Sequence, residues 1–152
     1  MIFFINFNLM KTTLLLLFLG ILTSSSYAQS PVLGKWKSMD DNSGEPKSIV
    51  ELFERNGKIY GKVVKIFTKP AQDPDPVCDK CSKDDDRFNK KVIGMEIITD
   101  LVKNDDSYGG GEILDPEIGR VYRCKIWIED KTLKVRGYFG PFYRTQTWLR
   151  VQ

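Results

Sequence analysis

Two short stretches decide the fold: "GKWKS" (Gly34–Ser38) and "RTQTWLRVQ" (Arg144–Gln152). Each sets a tryptophan among basic residues, and each reads as a strand. They lie at opposite ends of the part of the chain with globular composition. If they pair, everything between them is one sheet closed upon itself.

What lies between them fits that expectation. Short runs rich in Val, Ile, Tyr, Phe and Trp alternate with Gly, Asn, Asp and Pro, and helical periodicity is missing. Eight strands are expected: Gly34–Ser38, Ser48–Glu54, Lys58–Phe67, Val92–Leu101, Tyr108–Leu114, Val121–Glu129, Leu133–Phe139 and Thr145–Val151. The strongest turn signal is "FERNGKIYG" (Phe53–Gly61), where Asn56-Gly57 tolerates the positive φ of a tight type I′ turn. "VKNDDSYGG" (Val102–Gly110), "LDPEIGRVY" (Leu114–Tyr122) and "IEDKTLKV" (Ile128–Val135) centre on turn residues as well. Connections this short cannot carry parallel crossovers, so the strands should form an antiparallel meander. A meander of eight strands removes its free edges by closing into a barrel.

Alternation assigns faces. In "VYRCKIWIE" (Val121–Glu129), Tyr122, Cys124, Ile126 and Ile128 share the expected interior face, with Arg123, Lys125, Trp127 and Glu129 outside. Ile93, Met95, Ile97 and Leu101 should point one way, Glu96 and Asp100 the other. Leu133, Val135 and Gly137 oppose Lys134, Arg136 and Tyr138. The last strand can be read either way. With Arg144, Gln146, Trp148 and Arg150 inward, the interior is polar at one end, which suits a ligand site better than a dry core.

Closure requires the first and last strands to meet, and Trp36 and Arg150 are the residues expected to mark it. Gly34-Lys35-Trp36 with a terminal arginine resembles the lipocalin and fatty-acid-binding (calycin) barrels. There a Gly-x-Trp on the first strand packs under an arginine of the last. A guanidinium over an indole contributes ~0.5–2 kcal/mol and covers the barrel floor. Arg144 or Arg136 could take the place of Arg150, and Trp36 could be a plain core aromatic.

A broader resemblance spans most of the chain. "GKWKSMDDNSGEPKSIVELFERNGKIYGKVVKI" (residues 34–66), "CDKC" (78–81), "IGMEII" (93–98), "GGGEILDPEIGRVYRCKI" (109–126), "LKVRGYFG" (133–140) and "RTQTWLRV" (144–151), in this order, resemble the secreted bacterial DUF2147 family (domain of unknown function 2147). The resemblance implies export and a calycin-like, all-β, single-domain meander barrel, lipocalin- or fatty-acid-binding-like. It implies no activity.

Ahead of the barrel, "MKTTLLLLFLGILTSSSYA" (Met10–Ala28) places Lys11 before the apolar run Leu14–Leu22 and ends in small residues. That order is a secretory signal with cleavage expected after Ala28, and Met10 is the natural start. The apolar run is shorter than the roughly 20 residues of a membrane span. The expected organisation is residues 1–28 as signal peptide and 29–152 as one barrel, secreted or periplasmic, with no stable membrane insertion after cleavage. A formal net charge of +3 on 152 residues, with signs interspersed, gives no reason to expect nucleic acid or an anionic membrane as a partner. Histidine is absent, which excludes His-based triads, His metal sites and His proton shuttles.

The longest connection, "TKPAQDPDPVCDKCSKDDDRFNKK" (Thr68–Lys91), holds Cys78 and Cys81. Loops beyond about 12–15 residues are usually functional or disordered. A thioredoxin-like redox pair needs a helix starting at the cysteines, and the prolines and charge run provide none. Zinc would need Cys78, Cys81, Cys124 and a carboxylate. An oxidising compartment favours a disulfide. Chain entropy favours a long link to Cys124, whereas geometry favours the local Cys78–Cys81 pair, because Cys124 is expected inside the barrel. The local pair is the expectation, with Cys124 a buried free thiol. Asp73, Asp75, Asp79, Asp84, Asp85 and Asp86 do not match the calcium ligand spacing of an EF-hand and read as a solvated charge run. No metal and no cofactor is expected. Asp40, Asp41 and Glu45 read as turn residues more readily than as an acid–base pair. The glycines of "YGGGEILDP" (Tyr108–Pro116) lack the helix start and Lys-Ser/Thr of a phosphate loop, and suit a bulge or a close backbone approach.

The functional expectation is a small-molecule-binding barrel for an amphipathic or anionic ligand. Tyr122, Arg136, Arg144 and Gln146 are expected at its mouth, and Met95, Ile97, Ile126 and Val135 on its apolar wall, with the long loop as lid. The alternative is an envelope interaction module with a filled barrel and Trp127, Tyr138, Phe142 and Tyr143 as partner surface. A carboxylate- or thiol-based enzyme is the third reading. Oligomeric state stays open.

Overall fold

The computed structural model describes residues 30–152; the expected signal peptide lies outside the described residues. The eight strands are β1 (Gly34–Met39), β2 (Pro46–Arg55), β3 (Lys58–Ile66), β4 (Glu96–Asn104), β5 (Ser107–Asp115), β6 (Arg120–Glu129), β7 (Thr132–Phe139) and β8 (Phe142–Arg150). Each pairs antiparallel with its sequence neighbour, and the sheet is a closed barrel in the order β1 to β8.

The two terminal strands do meet. Trp36 lies opposite Arg150 and Lys37 opposite Leu149. The Val151 amide donates to the Lys35 carbonyl at 3.0 Å. This seam is short beside the eight paired positions of β2 and β3, so side chains must reinforce it. The Arg150 guanidinium lies 4.1 Å from the Trp36 ring centre and donates to the carbonyls of Leu33 and Pro31. The Trp36 indole donates to the Val32 carbonyl at 2.7 Å. Arg150, not Arg144 or Arg136, is therefore the cover of the floor.

Tight turns build the same end of the barrel. Asn56 and Gly57 both take positive φ, as do Asp130 and Lys131, the geometry that lets a two-residue turn follow strand twist. Above the floor, Leu52, Ile59, Ile98, Leu101, Ile126 and Leu133 are buried and fill the lumen. The outward positions carry charges, Glu51, Lys62, Lys125 and Lys134 among them. Membrane-spanning barrels show the reverse, with the apolar side facing out.

The fourth strand departs from expectation. It begins at Glu96, not Val92, because Val92–Met95 turns back on itself: the Met95 amide donates to the Val92 carbonyl at 3.1 Å. Within β4, Asp100 adopts a positive φ of 59°, and the register against β3 slips twice. The bulge puts Ile98 and Leu101 in the core together, and Ile93 is left outside at 39% exposure. Strict alternation cannot foresee a bulge, because a single extra residue flips the faces that follow. The glycine-rich start of β5 behaves as its sequence suggests. A Cβ on Gly111 would lie 2.0 Å from the Thr99 carbonyl oxygen, so only glycine lets the two backbones approach.

Candidate functional site

The end of the barrel away from Trp36 is not filled. A cavity of about 860 Å³ opens there, inside the range of small-molecule sites. Its apolar wall includes Val63, Ile66, Ile97, Ile113, Val135 and Trp148. They lie on β3, β4, β5, β7 and β8, turned inward by strand alternation and by the register shifts in the β2–β3 and β3–β4 pairings.

A chain of polar groups runs up the β8 side. The Trp148 indole donates to Gln146 Oε1 at 3.1 Å. Gln146 Nε2 donates to Asp41 Oδ2 at 3.0 Å, and Arg144 pairs with the same carboxylate. Thus the tryptophan, glutamine and arginine spaced two apart on β8 face inward, and Leu149, on the opposite face, is 42% exposed. The ambiguity of the last strand is resolved in favour of a polar lumen at one end. A second polar pair faces the cavity from β1 and β2, Ser38 Oγ and Ser48 Oγ at 2.6 Å.

Of the residues expected at the site, Tyr122, Arg144 and Gln146 line the cavity. Arg136 does not. It follows Val135, which faces in, so its side chain faces out, with its guanidinium 4.9 Å from the Trp127 ring and 4.3 Å from the Tyr143 ring. Met95 does not line it either: it is buried in the turn before β4 and borders an outer groove with Arg87, Glu96 and Thr99. Of the expected wall, Ile97 and Val135 line the cavity, and Ile126 is fully buried in the packed half. Asp41 and Ser48 were not expected to take part. Asp41 had a legible signal: once β1 pairs with β8, the turn after β1 must lie beside the start of β8, where Arg144 is.

The long connection covers one side of the mouth. Pro76, Val77, Asp79 and Lys80 line the cavity. Cys78 and Cys81 form a disulfide, and both are buried. Cys78 Sγ lies 3.5 Å from the Pro116 carbonyl oxygen, a packing contact, since a disulfide sulfur carries no proton. Gly119 shows how closely the loop presses on the β5–β6 turn: a Cβ there would lie 1.8 Å from the Lys80 carbonyl oxygen. An isolated bridge between Val77 and Lys91 closes the base of the loop, and the ion pairs Asp75–Lys91 and Asp85–Arg87 brace it. The loop is an ordered cover, and two of its aspartates serve these pairs. The Arg87 guanidinium hydrogen-bonded to Asp85 holds that carboxyl below the usual range.

Among the described residues, no group of three or more His, Cys, Asp or Glu side chains could hold a metal ion. Cys124 is free and buried, and burial pushes its thiol up to about 12. A thiol held protonated at neutral pH is a poor nucleophile, which works against thiol chemistry at this position.

The family whose profile matches residues 34–150 is described as "Uncharacterized protein conserved in bacteria (DUF2147)". No curated protein matches the chain. Among solved structures, a Helicobacter pylori protein described as "Protein HP1028 from the human pathogen Helicobacter pylori belongs to the lipocalin family" is similar, with a TM-score of 0.65 and 22% identity over 79% of this chain and 82% of that one. At this identity the likeness establishes the lipocalin-like fold.

Proposed function

The chain belongs to the DUF2147 family of bacterial proteins, and from that premise we propose that it is an exported binding protein whose barrel mouth holds one small amphipathic molecule. The observation that carries this reading is the uneven filling of the lumen. One half is packed with side chains down to Trp36, and the other keeps about 860 Å³ between an apolar wall and a polar rim. An apolar tail fits against Ile97, Ile113 and Val135, and a head group fits beside Gln146, Arg144 and the Ser38–Ser48 hydroxyls.

The head group is better neutral or zwitterionic than purely anionic. Arg144 is already paired with Asp41, and Lys47 with Glu117. Asp73, Asp79 and Asp115 add further carboxylates to the lining against Lys80. A simple anion would have to displace Asp41 in order to reach Arg144. The buried Cys78–Cys81 bridge in the loop supports an oxidising, extracytoplasmic location.

Native mass spectrometry of protein taken from its own cells tests the reading. A retained small molecule is expected for the wild type and is lost in Val135→Trp, which fills the wall. Titration with fatty alcohols should change the emission of Trp148, which lines the cavity. No retained mass together with no change in Trp148 emission overturns the proposal.

A further inference from the structure

The exposed apolar side chains are not scattered. The large hydrophobic residues most open to solvent are Val77, Ile93, Val102, Ile118, Phe139, Phe142, Tyr143 and Leu149. Five of these eight, all but Ile93, Val102 and Leu149, surround the mouth of the cavity. The densest group is the tip of the β7–β8 hairpin. Phe139 and Phe142 face each other across Gly140-Pro141, and they are 57% and 75% exposed, with Tyr143 at 62%. A clustered apolar patch on a small domain marks a surface that meets something.

The charged groups stacked on the aromatic rings of this hairpin are arginines. The Arg120 guanidinium lies 5.2 Å from the Phe139 ring, Arg136 lies over Tyr143, and Arg123 lies 5.9 Å from the Tyr138 ring. Among the described residues, none of these three arginines forms an ion pair. The hairpin tip itself, from Phe139 to Arg144, contains no carboxylate. The carboxylates of the mouth lie off the hairpin tip: Glu117 pairs with Lys47 and Asp41 with Arg144, while Asp73, Asp79 and Asp115 line the cavity from the long loop and the end of β5.

We propose that the mouth of the barrel docks on an anionic lipid bilayer, with Phe139, Phe142 and Tyr143 entering the interface and Arg120, Arg123 and Arg136 meeting the headgroup phosphates. Aromatic rings suit that depth, being apolar in body and, in tyrosine, polar at the tip. Arginines laid over ring faces keep their charge at headgroup level while their stems stay on apolar surface. Apolar insertion and cationic attraction then act at the same place, as interfacial binding requires. A second copy of this chain fits less well. A two-fold contact through the mouth would bring each arginine cluster toward its own copy. The inference goes beyond the ligand-binding reading and does not require an occupied cavity.

The test is co-sedimentation with vesicles of phosphatidylcholine alone and of phosphatidylcholine with phosphatidylglycerol, using wild type and variants purified in the same form. Wild type should sediment with the phosphatidylglycerol vesicles, and added salt should release it. Phe142→Ser should lower the apparent affinity about tenfold, and Arg120→Gln or Arg123→Gln about fivefold each. Val102→Ser, an exposed apolar change at the far end of the barrel, should leave binding unchanged. Thermal unfolding shows that each variant is folded before it is scored. Equal binding by Phe142→Ser and wild type, equal loss in Val102→Ser, or no preference for phosphatidylglycerol overturns the proposal. So does a dimer, seen by sedimentation velocity without lipid, that Phe142→Ser abolishes.

Discussion

The two ends of this barrel are built from the same strands and differ in almost every physical respect. At the floor, two-residue turns bring the strands together, Trp36 is fully buried, and Arg150 is committed to its ring and to two carbonyls. At the mouth, three of the four connections are longer, the two-residue β7–β8 turn is flanked by solvent-facing aromatic side chains, and polar groups line a cavity. The difference teaches that closure and binding need not compete here. Here the packed half supplies the dry core, and filling it leaves the other half free to stay open.

Substitutions can break or sharpen this contrast. The largest effect should come from the floor. Trp36→Ala removes the largest fully buried side chain and should cost about 3–5 kcal/mol in denaturant unfolding. A loss below about 1 kcal/mol would mean that the two ends share the burden of stability. Arg150→Met keeps the bulk over the indole but removes the charge and its hydrogen bonds, and should cost about 1–2 kcal/mol. At the mouth, Cys78→Ser with Cys81→Ser should cost at most about 2 kcal/mol, because the closed loop is tiny. Hydrogen exchange should show the loss of protection confined to the loop and the β5–β6 turn, with the floor unchanged.

The smallest effect is electrostatic and belongs to the outer wall. Hydrogen bonds from Arg55 hold Glu96 below its usual range, and hydrogen bonds from Lys58 and Tyr60 do the same for Asp100. Both carboxyls bind their proton less readily when folded than when unfolded. Their contribution is therefore present above the ordinary carboxylate range near pH 4 and is lost as pH falls through the lower, folded values. These groups are largely solvated, so the effect is small. Melting followed from pH 6 down to pH 3 should show a shallow loss that the double variant Glu96→Gln, Asp100→Asn does not share.

Those variants probe contacts of uneven legibility. The strands and their antiparallel order were readable because tight turns and alternating side chains are local signals; the Trp36–Arg150 contact was expected from the calycin resemblance, with Arg144 and Arg136 as alternatives. The disulfide was readable because three cysteines and an expected interior position for Cys124 left one easy pairing. The start of β4 was not readable. Val92–Met95 is apolar enough for a strand, but the Val63 backbone holds it in a turn, with the Gly94 amide donating to the Val63 carbonyl at 2.7 Å. Arg136 could have been excluded from the cavity by the same alternation that placed Val135 inside. Its charge had suggested a place in the cavity that its face forbids.

By itself the sequence determined that this chain is an all-β meander, because turn chemistry and period-two patterning act over a few residues at a time. Only the tertiary structure decided that the lumen is half full and that five apolar side chains gather around one opening. These depend on strand register, bulges and the path of a long loop. They bring together residues far apart in the chain, a proximity that no local pattern encodes.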